Sequence, residues 1–239
     1  MLGRFLEYAV FAPDPAASLE FYARLGFTPA SVGEARAHAY AVVTDGRITL
    51  GLHGEETYAT PAITFVRAHV LKALDELERR GCPVEFSHLG NDVFNEIGWR
   101  DPGGHLLRLI EARTFSPVKR ADSERSLCGY FQEIALPSPE LAQAKAFWEA
   151  LGFVGLEELG ALPHITCTSD SIDIGLYDPG RVRSPLLLFE AQDLRAQAAA
   201  LAQAGVQALP TPSTAPGSAL RVVAPEGTEL WLMASDADG

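Results

Sequence analysis

The chain has 239 residues, of which 47% are hydrophobic, and a formal net charge of −12. That length holds one large or two small domains, and the apolar content excludes a disordered chain. The acidic balance argues against a nucleic-acid partner, whose phosphates would repel it, and favours cationic small molecules.

The first legible element is "FLEYAVFA", a strand rich in apolar and aromatic residues. A helix follows in "DPAASLEFYARLGF": Asp14 is its N-cap, Pro15 takes the first helical position, and Gly26 stops it. Ser18, Phe21, Tyr22 and Leu25 recur every three to four residues and share one helical face. Three strands are expected next, in "FTPASVGE", "AHAYAVVT" and "RITLGLH", with "TDGR" turning the last two into a hairpin. The plan then repeats. "AITFVRA" is a strand, "HVLKALDELERRG" a helix ending at Gly81, and "PVEFSHL", "VFNEIGWR" and "HLLRLIEA" are strands, the last two joined through "DPGG".

Residues 1–113 therefore contain two βαβββ modules. The stretch 114–127, "TFSPVKRADSERSL", is polar and breaks the apolar periodicity, so it reads as a linker. Residues 128–239 carry two more modules, from "YFQEIAL" through "PLLLFEA" and the helix "DLRAQAAALAQAG". The halves are copies. Glu7 recurs as Glu133, Pro13 as Pro139, and "EFYARLGF" as "AFWEALGF". A repeat of about 110 residues is a domain, not a solenoid unit. Helices would cover one face of each mixed sheet, leaving the other face to curve into a cup that holds a ligand.

Other classes are not signalled. No apolar run reaches the roughly 18 residues of a membrane span, and "MLGRFLEYAV" lacks the layout of a signal peptide, so no membrane partner and a cytoplasmic location are expected. Cys82, Cys128 and Cys167 are odd in number and far apart, which suits free thiols in a reducing compartment. No P-loop, dinucleotide fingerprint or GxSxG is present.

The helix ending "FY..LGF", the Pro-Asp after the first strand, and the "DP.G" hairpin before the last strand resemble the vicinal oxygen chelate superfamily. That superfamily includes glyoxalase I, extradiol dioxygenases and the fosfomycin- and bleomycin-resistance proteins. The resemblance implies an α+β fold of four βαβββ modules, arranged as two tandem domains with cup-shaped mixed sheets. It also implies a divalent metal in the cup, held by His on the first strand, often Glu on the fourth, His on the fifth and Glu on the eighth. Those positions carry Glu7, Gly51, Ala62 and Arg108 in the first half. In the second they carry Glu133, Gly175, Leu186 and Trp231. A catalytic divalent site needs about three protein donors. The expectation is therefore no cofactor, with metal binding through displaced ligands as the alternative; a slip of one residue along a strand would turn a side chain to the other face.

The candidate ligand-binding residues are Glu7, Arg108, Glu133, Trp231, His53, His164 and Tyr177. Glu7 and Arg108 either grip a ligand or form an internal salt bridge in place of a metal, the bridge being the preferred reading. Glu133 beside Trp231 suits a cationic ligand or a general base, or Trp231 simply fills the cup. His53 and His164 stand on strands whose inner faces line the cups. The reading is a small-molecule-binding protein of the bleomycin-resistance type, a pseudo-dimer within one chain and open to homodimerisation. A metal-dependent lyase, isomerase or dioxygenase of the glyoxalase type is the alternative.

Overall fold

The computed structural model describes residues 2–30, 38–56, 61–91, 95–112, 126–158, 162–211 and 219–235. The first half runs β1 (Arg4–Phe11), α1 (Pro15–Arg24), β2 (Thr28–Pro29), β3 (Tyr40–Thr44), β4 (Thr49–His53), β5 (Ala62–Arg67), α2 (Val70–Arg79), β6 (Val84–His88), β7 (Glu96–Arg100) and β8 (Leu106–Glu111). The second half repeats it as β9 (Tyr130–Pro137), α3 (Leu141–Ala150), β10 (Val154–Glu158), β11 (His164–Thr168), β12 (Asp173–Tyr177), β13 (Leu186–Ala191), α4 (Leu194–Gln203), β14 (Leu209–Pro210), β15 (Ala219–Val223) and β16 (Glu229–Ala234). The four βαβββ modules are as read from the sequence. The expected linker 114–127 falls outside the described residues except for Ser126 and Leu127, and so does most of "FTPASVGE" beyond Ala30.

Local chemistry accounts for the helices. Asp14 accepts hydrogen bonds from the amides of Ala16 and Ala17 at 3.1 and 3.0 Å, and Asp193 does the same for α4 from Arg195 and Ala196. Gly26 and Gly152 end α1 and α3 with φ of 89° and 100°, a left-handed turn that favours glycine.

Each half forms one open eight-stranded sheet, ordered β2-β3-β4-β1-β5-β8-β7-β6 and β10-β11-β12-β9-β13-β16-β15-β14. β1 is parallel to β4 and antiparallel to β5, which is parallel to β8. Alternation along each strand separates two faces. Tyr8, Val10, Ile63, Phe65, Leu107 and Leu109 join the main core, together with Tyr22 and Leu25 of the first helical segment. Ala9, Ala62 and Leu106 cluster separately on the other side of the same strands, inside the cup.

The main core is continuous through both halves, where Phe65 meets Phe153 edge to face with ring centroids 6.4 Å apart. Ser18 and Tyr22 of α1 each donate to Glu226, in the turn between β15 and β16, at 2.7 Å. Arg47 lies 3.5 Å from the ring centroid of Tyr130 and donates to the Phe131 carbonyl. The helix-bearing faces thus meet, and the cups face outward from the shared core. Among the described residues, no helix is long and apolar enough to cross a membrane.

Candidate functional site: two carboxylate cups

Glu7 is 1% exposed, on the cup face of β1. Its carboxylate accepts from the Tyr40 hydroxyl at one oxygen and from Nε2 of His53, 3.2 Å away, at the other. Tyr40 and His53 are paired across the β3–β4 hairpin, so the turn sets both at once. That turn is fixed by Asp45, whose Oδ1 accepts from the amides of Arg47 and Ile48. The His53 Nδ1 faces Nε2 of His38 at 3.1 Å. Gly51 completes the arrangement: a Cβ there would collide with the Glu7 carboxylate.

The second cup is built alike. Glu133, 3% exposed, accepts from the Tyr177 hydroxyl and from Thr166 Oγ1 at 3.1 Å, and Nε2 of His164 lies 3.3 Å from it. His164 and Tyr177 stack with centroids 4.5 Å apart. A Cβ at Gly175 would collide with Glu133. The two cups exchange positions, however. Tyr40 opens β3 and His53 closes β4, whereas His164 opens β11 and Tyr177 closes β12.

Nδ1 of His164 faces the Leu162 carbonyl at 2.7 Å, and Nε2 lies 2.9 Å from the Thr166 hydroxyl and 3.3 Å from the Glu133 carboxylate. Burial works against a charge on this ring, but the hydrogen bond and charge of Glu133, with lesser help from Leu162 and Glu158, hold the His164 pKa above its ordinary value. Tyr177 is pushed well above the usual phenol range, first by burial and then by Glu133.

Beyond Glu7, the row of paired residues across the first sheet continues through Thr64 on β5 to Arg108 on β8 and Gly98 on β7. The expected Glu7–Arg108 bridge resolves into two pairs: Glu7 takes His53, and Arg108 places a guanidinium nitrogen 2.7 Å from Oε2 of Glu96. Glu96 also meets Nδ1 of His88 at 2.9 Å. Thr64 is 0% exposed, and its hydroxyl has no hydrogen-bond partner. In the second sheet the row is Glu133, Leu188, Trp231, Arg221. Trp231 does not meet Glu133 directly. Leu188 stands between them in the row, and the indole Nε1 donates to Glu229, which Arg221 also holds at 3.1 Å. Leu162, Val182, Leu186 and Leu188 pack around Trp231 and Tyr177.

All seven candidate residues thus line a cup, and Glu7–His53 and Glu133–His164–Tyr177 are brought together. His53 lies two residues beyond Gly51 and so keeps the cup face, which one-residue slippage would not have done. The sequence reading missed Tyr40, His38, Thr64, Glu96 and Thr166. Tyr40 was accessible by counting outward from the "TDGR" turn to the partner of His53.

Residues 4–109 match the model of the Glyoxalase/Bleomycin resistance protein/Dioxygenase superfamily. Those residues belong to that superfamily. The second half, its structural copy, extends the vicinal oxygen chelate fold over the whole chain. Among solved structures, an extradiol ring-cleaving dioxygenase from B. fuscum aligns with 16% identity and a TM-score of 0.63, covering 97% of this chain and 71% of that one. The Mn(II)-bound glyoxalase from Novosphingobium aromaticivorans aligns with 18% identity and a TM-score of 0.60, covering 98% and 82%. A catechol 2,3-dioxygenase gives 14% and 0.59, covering 98% and 87%. At these identities the likeness is one of fold. No curated protein sequence matches the chain.

Superfamily members such as the manganese-bound glyoxalase carry a divalent ion. At the positions where the resemblance places metal ligands, the first cup carries Glu7, Gly51, Ala62 and Arg108. Both nitrogens of His53 are engaged, one by Glu7 and one by His38, so the rings form a chain rather than converge on a point. Gly51 and Ala62 bring no donor, and the Arg108 cation would repel a metal. Among the described residues, no group of three or more His, Cys, Asp or Glu side chains is placed to hold a metal ion.

Proposed function

We propose that the chain is a metal-independent small-molecule-binding protein, with its first cup as the principal binding site. The observation that carries this reading is Thr64. A fully buried hydroxyl without a partner costs about 1–3 kcal/mol, and this one lies in the row between a carboxylate and a guanidinium. A ligand oxygen or nitrogen seated over β5 would satisfy it. The second cup is filled by Trp231, Tyr177 and their aliphatic neighbours, which supports a smaller role for it. The acidic balance of the chain favours a cationic, aromatic ligand of the antibiotic-sequestration type.

The test is thermal-shift and calorimetric screening with cationic aromatic antibiotics, using wild type and Thr64→Val. Loss of the hydroxyl should stabilise the free protein while weakening the ligand at least fivefold, the effect of roughly 1 kcal/mol. Equal binding by both proteins would remove Thr64 from the site. The contact of Glu7, His53 and His38 favours a second reading, a metal site formed when those rings turn. Stoichiometric, submicromolar binding of Mn, Fe, Zn or Ni would establish that reading and overturn the first.

A further inference from the structure

The floor of the second cup is apolar and comes from the strands: Leu186 pairs with Ala135, and Leu188 with Glu133 and Trp231. The first cup has the smaller Ala62 and Thr64 at the matching positions of β5. Val182 packs onto the apolar floor from outside the sheet, in residues 178–185 between β12 and β13, and is 1% exposed. Its neighbours are not buried: Asp178, Gly180, Arg181, Arg183 and Ser184 are all exposed. The turn is held from within. Oδ1 of Asp178 accepts from the amide of Gly180 at 2.8 Å, and the Asp178 carbonyl accepts from the amides of Arg181 and Val182 at 2.9 and 3.1 Å. Among the described residues, no side-chain hydrogen bond or ion pair ties Arg181, Arg183 or Ser184 to the body of the chain.

We propose that residues 178–185 form a lid that the chain folds into its own second cup, with Val182 standing in the place of a ligand. The anchor is one apolar side chain, and the internal turn about Asp178 lets the loop swing as a unit between Tyr177 and Leu186. Burying one valine favours the closed loop by roughly tenfold to a hundredfold. The open form is then roughly 1–10% of molecules, a minor state of the kind a ligand can select. Lifting the loop breaks no ion pair of Arg181 or Arg183, which already stand in solvent. A small molecule reaches Glu133 and His164 only as the lid lifts, and it competes with Val182 for the surface of Leu186, Leu188 and Trp231. The molecule that wins is one with an apolar end larger than the valine side chain. The second cup is thus self-occupied at rest, whatever the first cup binds.

The lid is testable on the ligand-free chain, so its failure is distinct from a failure of the first cup to bind. Val182→Cys nearly conserves the side-chain volume. Under native conditions its thiol should react with a maleimide at least tenfold faster than Cys128 and Cys167, which are 0% exposed and open only with the core. Reaction no faster than at those two cysteines would overturn the proposal. Tryptophan emission gives a second readout. Trp99 and Trp148 lie in the main core and Trp231 in the second cup. Val182→Ser weakens the anchor and should raise acrylamide quenching at least twofold, and the rise should vanish when Trp231→Phe is added. Unchanged quenching in Val182→Ser, or a rise that survives Trp231→Phe, would overturn the proposal. Slow reaction of Cys128 and Cys167 in the serine variant shows that it is folded; where it is not, the labelling rate of the cysteine variant decides alone.

Discussion

Gly51 is the residue on which the first cup turns. Its backbone takes a conformation open to any L residue, so Gly51→Ala adds no backbone strain. The added methyl instead lands on the Glu7 carboxylate, which Tyr40 and His53 hold in place. Moving that carboxylate loses at least one hydrogen bond to a charged group, about 1.5–3 kcal/mol. Crowding in a packed site adds about 1–3 kcal/mol. The lower chain entropy of alanine in the unfolded state returns about 0.4–1 kcal/mol. The expected net loss is therefore about 2–5 kcal/mol, a large part of a typical domain stability. Urea unfolding of Gly51→Ala, Glu7→Ala and the double variant gives a complete cycle. With the carboxylate gone, the methyl has room, and the glycine substitution should cost at least 1 kcal/mol less, roughly the coupling expected of touching residues. Equal cost in both backgrounds, or a loss under about 0.5 kcal/mol in the first, would refute the carboxylate as the obstacle.

Three further outcomes follow from the geometry. His164 has a folded pKa above its ordinary value of about 6.5, so its contribution is fully present below that pH and is lost as pH rises through the raised value. The denaturation midpoint should fall over that window, and His164→Gln should flatten the fall; an unchanged profile would count against the Glu133 pairing. Glu226→Ala strands the buried hydroxyl of Tyr22 and should cost about 1–3 kcal/mol, with Tyr22→Phe recovering part of it; additive losses would exclude the contact as a link between the halves. Cys82, Cys128 and Cys167 are buried, and burial holds all three thiols above their usual range, that of Cys167 at about 12. Native protein should resist thiol reagents until unfolded, and rapid labelling of any of them would contradict the packing.

The modules were legible because each helix carries its own start and stop and each strand its alternation. Asp14, Pro15 and Gly26 bound α1 without help from the rest of the chain. The copy of that stop, Gly152 after α3, made the plan clear twice. Glu7 and Glu133 were placed on their cups for the same reason, since the helix fixes the register of the strand before it. What stayed hidden depends on pairing between strands. The partner of Arg108 is Glu96 from β7, and nothing near Arg108 in sequence announces it. Thr64 looks like any strand threonine until the burial around its hydroxyl is known. Trp231 was placed on the right strand, but its hydrogen bond turns toward Glu229, a neighbour on its own strand.

The exchange of tyrosine and histidine between the cups bears on how such halves are compared. Superimposed residue by residue, Tyr40 stands over His164 and His53 over Tyr177. A column-by-column score counts two mismatches there. The carboxylate receives the same two kinds of donor from the same two strands in both halves. What the duplicated chain holds constant is a set of touching groups, not an address for each of them. Relatives of this chain are better recognised by asking which side chains surround the glutamate than by asking what occupies any one position.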